Sequence, residues 1–250
     1  RKDPNRYKTI MPVDIFGLLA DYKSLREISN KYDVKIIEDA AQSFGASQRE
    51  KMSCSFGDIS CTSFYPAKPL GCYGDGGAVF TDDDNLKDII KSIREHGSGI
   101  DKYNNIRLGL NGRLDSIQAA VLIPKLKILD KEITQRNKIA DYYSEKLSDK
   151  FKIQHINDGD ISSWAQYSIL CNSTDHRDSI IKKLNENNIP TSIFYIKPLH
   201  LQEVFKNLKY NIGDFKVSEK ISSKILCLPM HPYLKFEDVD KICDLIMEIT

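Results

Sequence analysis

The sequence has little of what builds disulfide-stapled scaffolds, zinc modules or membrane spans. Its six cysteines, at 54, 61, 72, 171, 227 and 243 of 250 residues, include no CxxC pair, which argues for reduced, mostly buried thiols rather than a disulfide framework or a zinc site. No long apolar run occurs and the mean hydropathy is −0.40, so no transmembrane helix is expected. An excess of one charge is missing too. With 36 Lys+Arg against 35 Asp+Glu the net charge is +1, too weak a field to steer the molecule onto nucleic acid or an anionic membrane. The first residues, RKDPNRYKTI, contain neither an apolar stretch nor a small-residue cleavage site, which points to the cytoplasm. What is present, 41% hydrophobic residues, suffices for one large domain or two modest ones with a real core.

In the first half, short apolar runs alternate with longer amphipathic stretches, the pattern of βαβ units on a parallel sheet. Strands are expected at 9–15, 34–38, 58–65 and 77–81. Leu19, Tyr22, Leu25 and Ile28 step in threes and predict a helix from about Ala20 to Tyr32. The acidic run 82–85 reads as the N-cap of a helix carrying Leu86, Ile89, Ile90 and Ile93 rather than as a cation site. A long periodic stretch, 114–147, predicts one or two helices, with Lys125, Lys127, Lys131, Arg136 and Lys138 as a solvated basic face. From Phe151 onward, short elements punctuated by Pro190, Pro198, Pro229 and Pro232 suggest a smaller α+β unit. Trp164 is expected to fill its core.

Two positions combine chemistry with backbone context. Asp39 follows the apolar strand 34–38 and precedes Ala40 and Ala41, which sets it at the carboxyl end of a buried strand. Ligands of open parallel sheets bind at that edge, and an acid there suits a cationic ring nitrogen; a helix N-cap is the other reading of the same residue. Lys68 stands in Ser63-Phe64-Tyr65-Pro66-Ala67-Lys68-Pro69, just before a proline that biases it toward extended backbone. A lone lysine is usually a surface charge, but a desolvated one has a lowered pKa and forms Schiff bases with carbonyls. An acid and a lysine at neighbouring strand ends are the minimum kit for pyridoxal 5'-phosphate. Rival motifs fail on spacing: Gly71 to Gly77 reads GCYGDGG, neither a dinucleotide fingerprint nor a P-loop, and histidines 96, 155, 176, 200 and 231 form no HExxH. No metal site is expected.

Four segments taken together, 37–45 (IEDAAQSFG), 63–68 (SFYPAK), 74–78 (GDGGA) and 111–120 (NGRLDSIQAA), resemble the DegT/DnrJ/EryC1/StrS family of sugar aminotransferases. The resemblance runs from Thr9 almost to the C-terminus. It implies an α/β fold-type-I pyridoxal-phosphate transferase, with a mostly parallel large domain, N-terminally incomplete, at 1–130, and a connecting helix and small α+β domain at 131–250. Carried over by position, Lys68 is the Schiff-base lysine and proton shuttle, Asp39 pairs with the pyridine nitrogen, Gln42 contacts the ring near its phenolic oxygen, and Ser63 donates to the phosphate. Asn111 reaches a phosphate in the neighbouring subunit of a homodimer with shared active sites. Lysine rather than histidine at position 68 favours amino transfer over the related dehydration.

The implied reaction passes an amino group from glutamate to a keto nucleotide sugar for surface polysaccharide, such as the lipopolysaccharide O-antigen. Segments 13–22 (VDIFGLLADY) and 68–75 (KPLGCYGD) resemble the branch acting at C3 of a UDP-3-oxo-N-acetylglucosaminuronate. Substrate contacts are expected from Arg113, Tyr195 and His200, the last two being equally readable as a structural turn beside Pro198. The alternatives are an inactive or regulatory relative and an aminotransferase for a 4-oxo sugar. Family members carry roughly a hundred further residues before the position of Thr9, about the size of a small domain. These include a Gly-Thr turn at a helix N-terminus that cradles the cofactor phosphate. Weak or no cofactor binding by the 250 residues alone is the resulting expectation, unless the full-length protein extends further.

Overall fold

The computed structural model describes residues 7–101 and 103–249. Packing divides the chain into two units, Arg1–Ile133 with Ile156–Ala165, and Thr134–His155 with Gln166–Thr250.

The first unit is built on strands β1 (Thr9–Ile10), β2 (Lys35–Asp39), β5 (Ile59–Ser63) and β6 (Gly77–Phe80), in the spatial order β1-β2-β5-β6. β1 pairs parallel with β2, and β2 parallel with β5. The expected strand 9–15 is cut short because Pro12 has no N–H to offer a ladder; its carbonyl accepts from Asp39 N at 3.0 Å. β6 runs antiparallel to β5. Its link to β5, residues 64–76, contains no helix that could carry a parallel crossover. Helix α1 (Tyr22–Tyr32) starts where Asp21 accepts from Ser24 N and ends at Asp33 in left-handed backbone, φ 48°, a conformation that Asp tolerates. Alternation along β2 buries Ile36 and Glu38 completely and leaves Ile37 and Asp39 half-covered on the opposite face.

Glu38 is a buried carboxylate with donors on both oxygens: Cys54 N at 2.6 Å, Phe56 N at 2.8 Å, Gly57 N at 3.2 Å and Ser60 Oγ at 2.6 Å. It fixes the loop after two short strands, β3 (Ser47–Gln48) and β4 (Lys51–Met52), which form a small sheet with β8 (Asp160–Ile161). Helix α2 (Asp84–Arg94) is capped by Asp83, which accepts from Asn85 N and Leu86 N, as the acidic run suggested. The stretch 114–147 forms two helices, α3 (Ser116–Leu126) and α4 (Leu129–Leu147).

The basic face expected on this stretch needs correction at two places. Lys125 Nζ donates to the Gly71 carbonyl, and Arg136 is buried with Nη1 at 3.5 Å from Met230 O. Trp164 is buried, as expected, but in the first unit. Residues 156–165 return there because Ser163 N and Ser162 Oγ both donate to Gly17 O, at 3.0 and 2.9 Å.

The second unit has an antiparallel sheet ordered β10-β9-β7, from β7 (Lys152–Ile153), β9 (Tyr167–Leu170) and β10 (Ile225–Leu228). Residues 134–147 of α4 and helices α5 (Thr174–Glu186), α6 (Lys216–Lys224) and α7 (Phe236–Met247) complete it. Its core includes Ile139, Tyr143, Tyr167, Ile180, Leu226 and Ile246, all without exposed surface. Among the described residues no helix is long and apolar enough to cross a membrane.

Candidate active site

Asp39 is the last residue of β2, and Lys68 lies five residues beyond the end of the adjacent strand β5. Both parallel strands therefore deliver a candidate group at their carboxyl ends, where backbone leaves the sheet and side chains converge. Asp39 Oδ1 accepts from Ala41 N at 3.0 Å. Among the described residues Oδ2 accepts no hydrogen bond, which leaves it able to meet a protonated ring nitrogen. The Lys68 amine is half-buried, and burial pulls its pKa below the ordinary lysine value, with the nearby Asp39 charge opposing the fall. An amine so placed is more readily unprotonated, the state that attacks a carbonyl.

The lysine loop is pinned at many points. Lys68 N donates to Tyr65 O at 2.9 Å, Cys72 N to Phe64 O at 2.7 Å and Phe64 N to Gly76 O at 2.8 Å. From outside the loop, Gln118 accepts from Tyr73 N at 2.8 Å and Lys125 donates to Gly71 O. A Cβ at Gly71 would stand 2.6 Å from Pro66 O and 2.7 Å from Tyr65 O, so the loop closes on itself only around glycine.

Ser63, at the end of β5, accepts from Tyr65 N at 3.2 Å, which leaves its hydroxyl hydrogen free to donate. Gln42 receives Phe16 N on Oε1 at 2.6 Å. That bond assigns the carbonyl end of the amide inward, so the NH2 end is the one available to a ligand. Asp39, Gln42, Ser63 and Lys68 thus share one end of the first unit's sheet. Asn111 and Arg113 belong to the same unit and are exposed; the Asn111 backbone bridges Glu95.

Tyr195 and His200 lie in the second unit. Tyr195 is exposed, and its carbonyl accepts from Ser222 Oγ. His200 is mostly buried, its Nε2 3.0 Å from Glu219 Oε1 and its ring tilted on Phe215 at 4.8 Å. Glu219 also accepts from Gly213 N, at 2.8 Å, and Phe215 N, at 3.1 Å. The Gly213 bond first, then those from Phe215 and His200, hold its carboxyl below the usual range.

Four groups that shape these segments escaped the sequence reading: Asp14, Gln118, Lys125 and Glu219. Gln118 and Lys125 meet main-chain atoms 45 and 54 residues away, while Asp14 and Glu219 tie amides four to six residues off to more distant side chains; neither kind of contact leaves a mark in periodicity or motif. A groove of about 920 Å³ lies elsewhere, beside β5, β6 and α2, lined by Cys61, Phe80, Ile90, Leu110 and Leu114 among others. None of the candidate residues lines it. The chemistry at the strand ends outweighs volume in locating the site: the charged residues lining the groove, Asp82, Lys87, Lys91 and Arg94, are exposed, whereas the Lys68 amine is half-buried near the Asp39 charge.

Comparison with known proteins finds relatives along almost the whole chain. A UDP-2-acetamido-2-deoxy-3-oxo-D-glucuronate aminotransferase of Pseudomonas aeruginosa is 42% identical over 239 residues, 95% of this chain and 65% of the relative. A pleiotropic regulatory protein of Geobacillus stearothermophilus is 38% identical, over 96% of the chain and 65% of its own length. The chain thus spans just under two thirds of these curated relatives. The crystal structure of a DegT DnrJ EryC1 StrS aminotransferase from Brucella abortus superposes with a TM-score of 0.91 at 48% identity, over 96% of this chain and 64% of that one. The family's own sequence pattern matches residues 3–247, and the chain belongs to the DegT/DnrJ/EryC1/StrS aminotransferase family.

Proposed function

We propose that the chain carries the lysine side of a pyridoxal 5'-phosphate site and serves an aminotransferase that moves an amino group from glutamate to a keto nucleotide sugar. The keto position favoured is C3 of a UDP-3-oxo-N-acetylglucosaminuronate, by likeness to the Pseudomonas relative. The observation that carries the reading is Lys68, an amine of lowered basicity beside Asp39, on a loop held rigid at both ends. When bound, the cofactor supplies an electron sink for the carbon that loses or gains the amino group. Lys68 binds it covalently and moves the proton at the reacting carbon. Asp39 keeps the ring nitrogen protonated, the Gln42 NH2 donates to the ring oxygen, and the Ser63 hydroxyl donates to the phosphate.

Arg113, Tyr195 and His200 are assigned to the sugar nucleotide, with Arg113 directed at a carboxylate. We read the working form as a homodimer in which Asn111 completes the partner's phosphate site. The large apolar exposure of Ile100 and Leu108 on the same 98–112 segment supports this. Six thiols free of disulfides support a cytoplasmic enzyme. Surface polysaccharide synthesis is the pathway proposed.

The test is covalent. Incubation of the full-length protein with pyridoxal 5'-phosphate, reduction with borohydride and peptide mass mapping should place the adduct on Lys68, and Lys68→Ala should abolish it. An adduct elsewhere, or none on the wild type, sinks the reading and favours the regulatory role that the name of the Geobacillus relative suggests. After loading with glutamate, a panel of 3-oxo and 4-oxo nucleotide sugars separates the substrate classes. Turnover of a 4-oxo sugar alone would overturn the C3 assignment.

A further inference from the structure

Asp14 has no exposed surface, yet its carboxylate is engaged on both oxygens. Oδ1 accepts from Ala20 N at 3.0 Å and Tyr22 OH at 2.9 Å, and Oδ2 accepts from Ser43 Oγ at 2.9 Å. Its backbone is tied to the same place, with Asp14 N donating to Asp39 O at 3.0 Å. Two residues on, Phe16 N donates to Gln42 Oε1. The segment 12–20 and the turn 39–43 are therefore joined by main-chain, amide and carboxylate bonds within a few residues of both cofactor candidates.

The joined segment does not hold itself in place. Phe16 and Gly17 have φ of 63° and 98°, and left-handed backbone at a non-glycine persists only where surrounding contacts impose it. Among the described residues no cation is bonded to Asp14. The titratable groups around it are Glu38 and Asp39 on β2, Tyr22 on α1 and Cys54 in the following loop. A buried acid among other acids is unfavourable in itself, so the hydrogen bonds must offset its desolvation. Burial, with a smaller push from Glu38, raises its pKa to about 6.

We propose that Asp14 is a positioning residue: its buried carboxylate locks segment 12–20 onto the 39–43 turn and so fixes Asp39 and Gln42 for the cofactor ring. This rests on the roles given to those two residues above.

The experiment, on the full-length protein, compares wild type with Asp14→Ala, Asp14→Asn, Ser43→Ala, Asp39→Ala and the Asp14→Ala/Asp39→Ala double variant. Cofactor Kd is read from absorbance, and amide exchange is followed in the protein without cofactor. Asp14→Ala should weaken pyridoxal 5'-phosphate binding about tenfold and speed exchange at Phe16, Ala41 and Ser43. Asp14→Asn keeps an acceptor for Ala20 N and Tyr22 OH, and should restore affinity to within about threefold. A purely structural role would lower the stability of Asp14→Ala and leave the cofactor Kd of the folded variant unchanged. Added to Asp39→Ala, Asp14→Ala should have a smaller effect than it has alone, the remainder being its action through Gln42.

A folded Asp14→Ala that binds as wild type does, or whose effect simply adds to that of Asp39→Ala, overturns the proposal. If Asp14→Ala does not fold, Ser43→Ala decides: removing one tie should weaken binding a few-fold with the same exchange pattern, and unchanged binding overturns it. A wild type that binds no cofactor, or an Asp39→Ala variant that binds as tightly, brings down the cofactor reading and this proposal with it. Insensitivity confined to Asp14 and Ser43 sinks the proposal alone.

Discussion

Residues 12–76 of the first unit and residues 194–219 of the second are held together in different ways. In the first, the candidate residues sit on backbone fixed from far along the chain: Ser163 Oγ to Gln42 O, Gln118 to Tyr73 N, Lys125 to Gly71 O. In the second, the fixing is local, with Glu219 gathering His200, Gly213 and Phe215. Much apolar surface stays open there, at Ile196, Leu199, Val204 and Ile212. Long-range ties preorganise a site for one unchanging ligand, whereas a locally clasped segment can be remodelled without disturbing the rest. In the proposed enzyme that division separates the constant cofactor from the variable sugar.

The strongest way to break this comparison is to loosen the first region without touching its chemistry. Gly71→Ala adds one carbon that would meet two backbone oxygens under 3 Å away, so the loop carrying Lys68 has to move. A displacement near 1 Å at a reacting group is worth on the order of 10² in rate. Borohydride-trapped adduct should therefore form about a hundredfold more slowly, with Lys68 still in place. A variant that labels at the wild-type rate would show that the loop's rigidity is incidental.

A smaller effect probes the electrostatics behind Asp39. Because burial raises Asp14 from 3.8 to about 6, the folded state holds this proton more tightly than the unfolded state does. Its contribution to stability is fully present below pH 3.8 and is lost as the pH rises through 6. Asp14→Asn removes that dependence. Against wild type the variant should gain stability with increasing pH, reaching about 2–3 kcal/mol above pH 7, at ~1.4 kcal/mol per unit of pKa. Denaturant melts at pH 4.5 and 7.5 check the sign, and a difference that stays constant with pH would be the wrong result.

How much of this could be read in advance depended on where the partners lie. Asp39 and Lys68 were legible because strand ends and an X-Pro step are local signals. The polarity of β6 was not, since alternation reads alike in both directions; only the link 64–76, kept free of helix by its prolines and glycines, encodes the reversal. Trp164 was correctly expected to be buried, but local apolarity cannot say which core takes it. Ser162 and Ser163, bonded to Gly17 O, decide that. Lys125 looked like its solvated neighbours, because a lysine that reaches a carbonyl 54 residues away has the same sequence context as one that reaches water.

The finest test sharpens the second region. Glu219→Gln keeps the size of the clasp but puts an NH2 where a carboxylate oxygen now accepts. Either His200 and the Phe215 amide, both bonded to Oε1, or the Gly213 amide, whose shorter bond is to Oε2, then lose their acceptor. If the clasp shapes the sugar's binding surface, KM for the keto nucleotide sugar should rise about tenfold, the size of one lost charge-assisted hydrogen bond. The half-reaction with glutamate, measured without any sugar, should stay within about twofold of wild type, since no group proposed for it is touched. His200→Ala should give the same split by removing the other partner. Equal losses in both half-reactions would mean that the 194–219 segment serves the cofactor as much as the sugar, and the contrast between the two regions would fail.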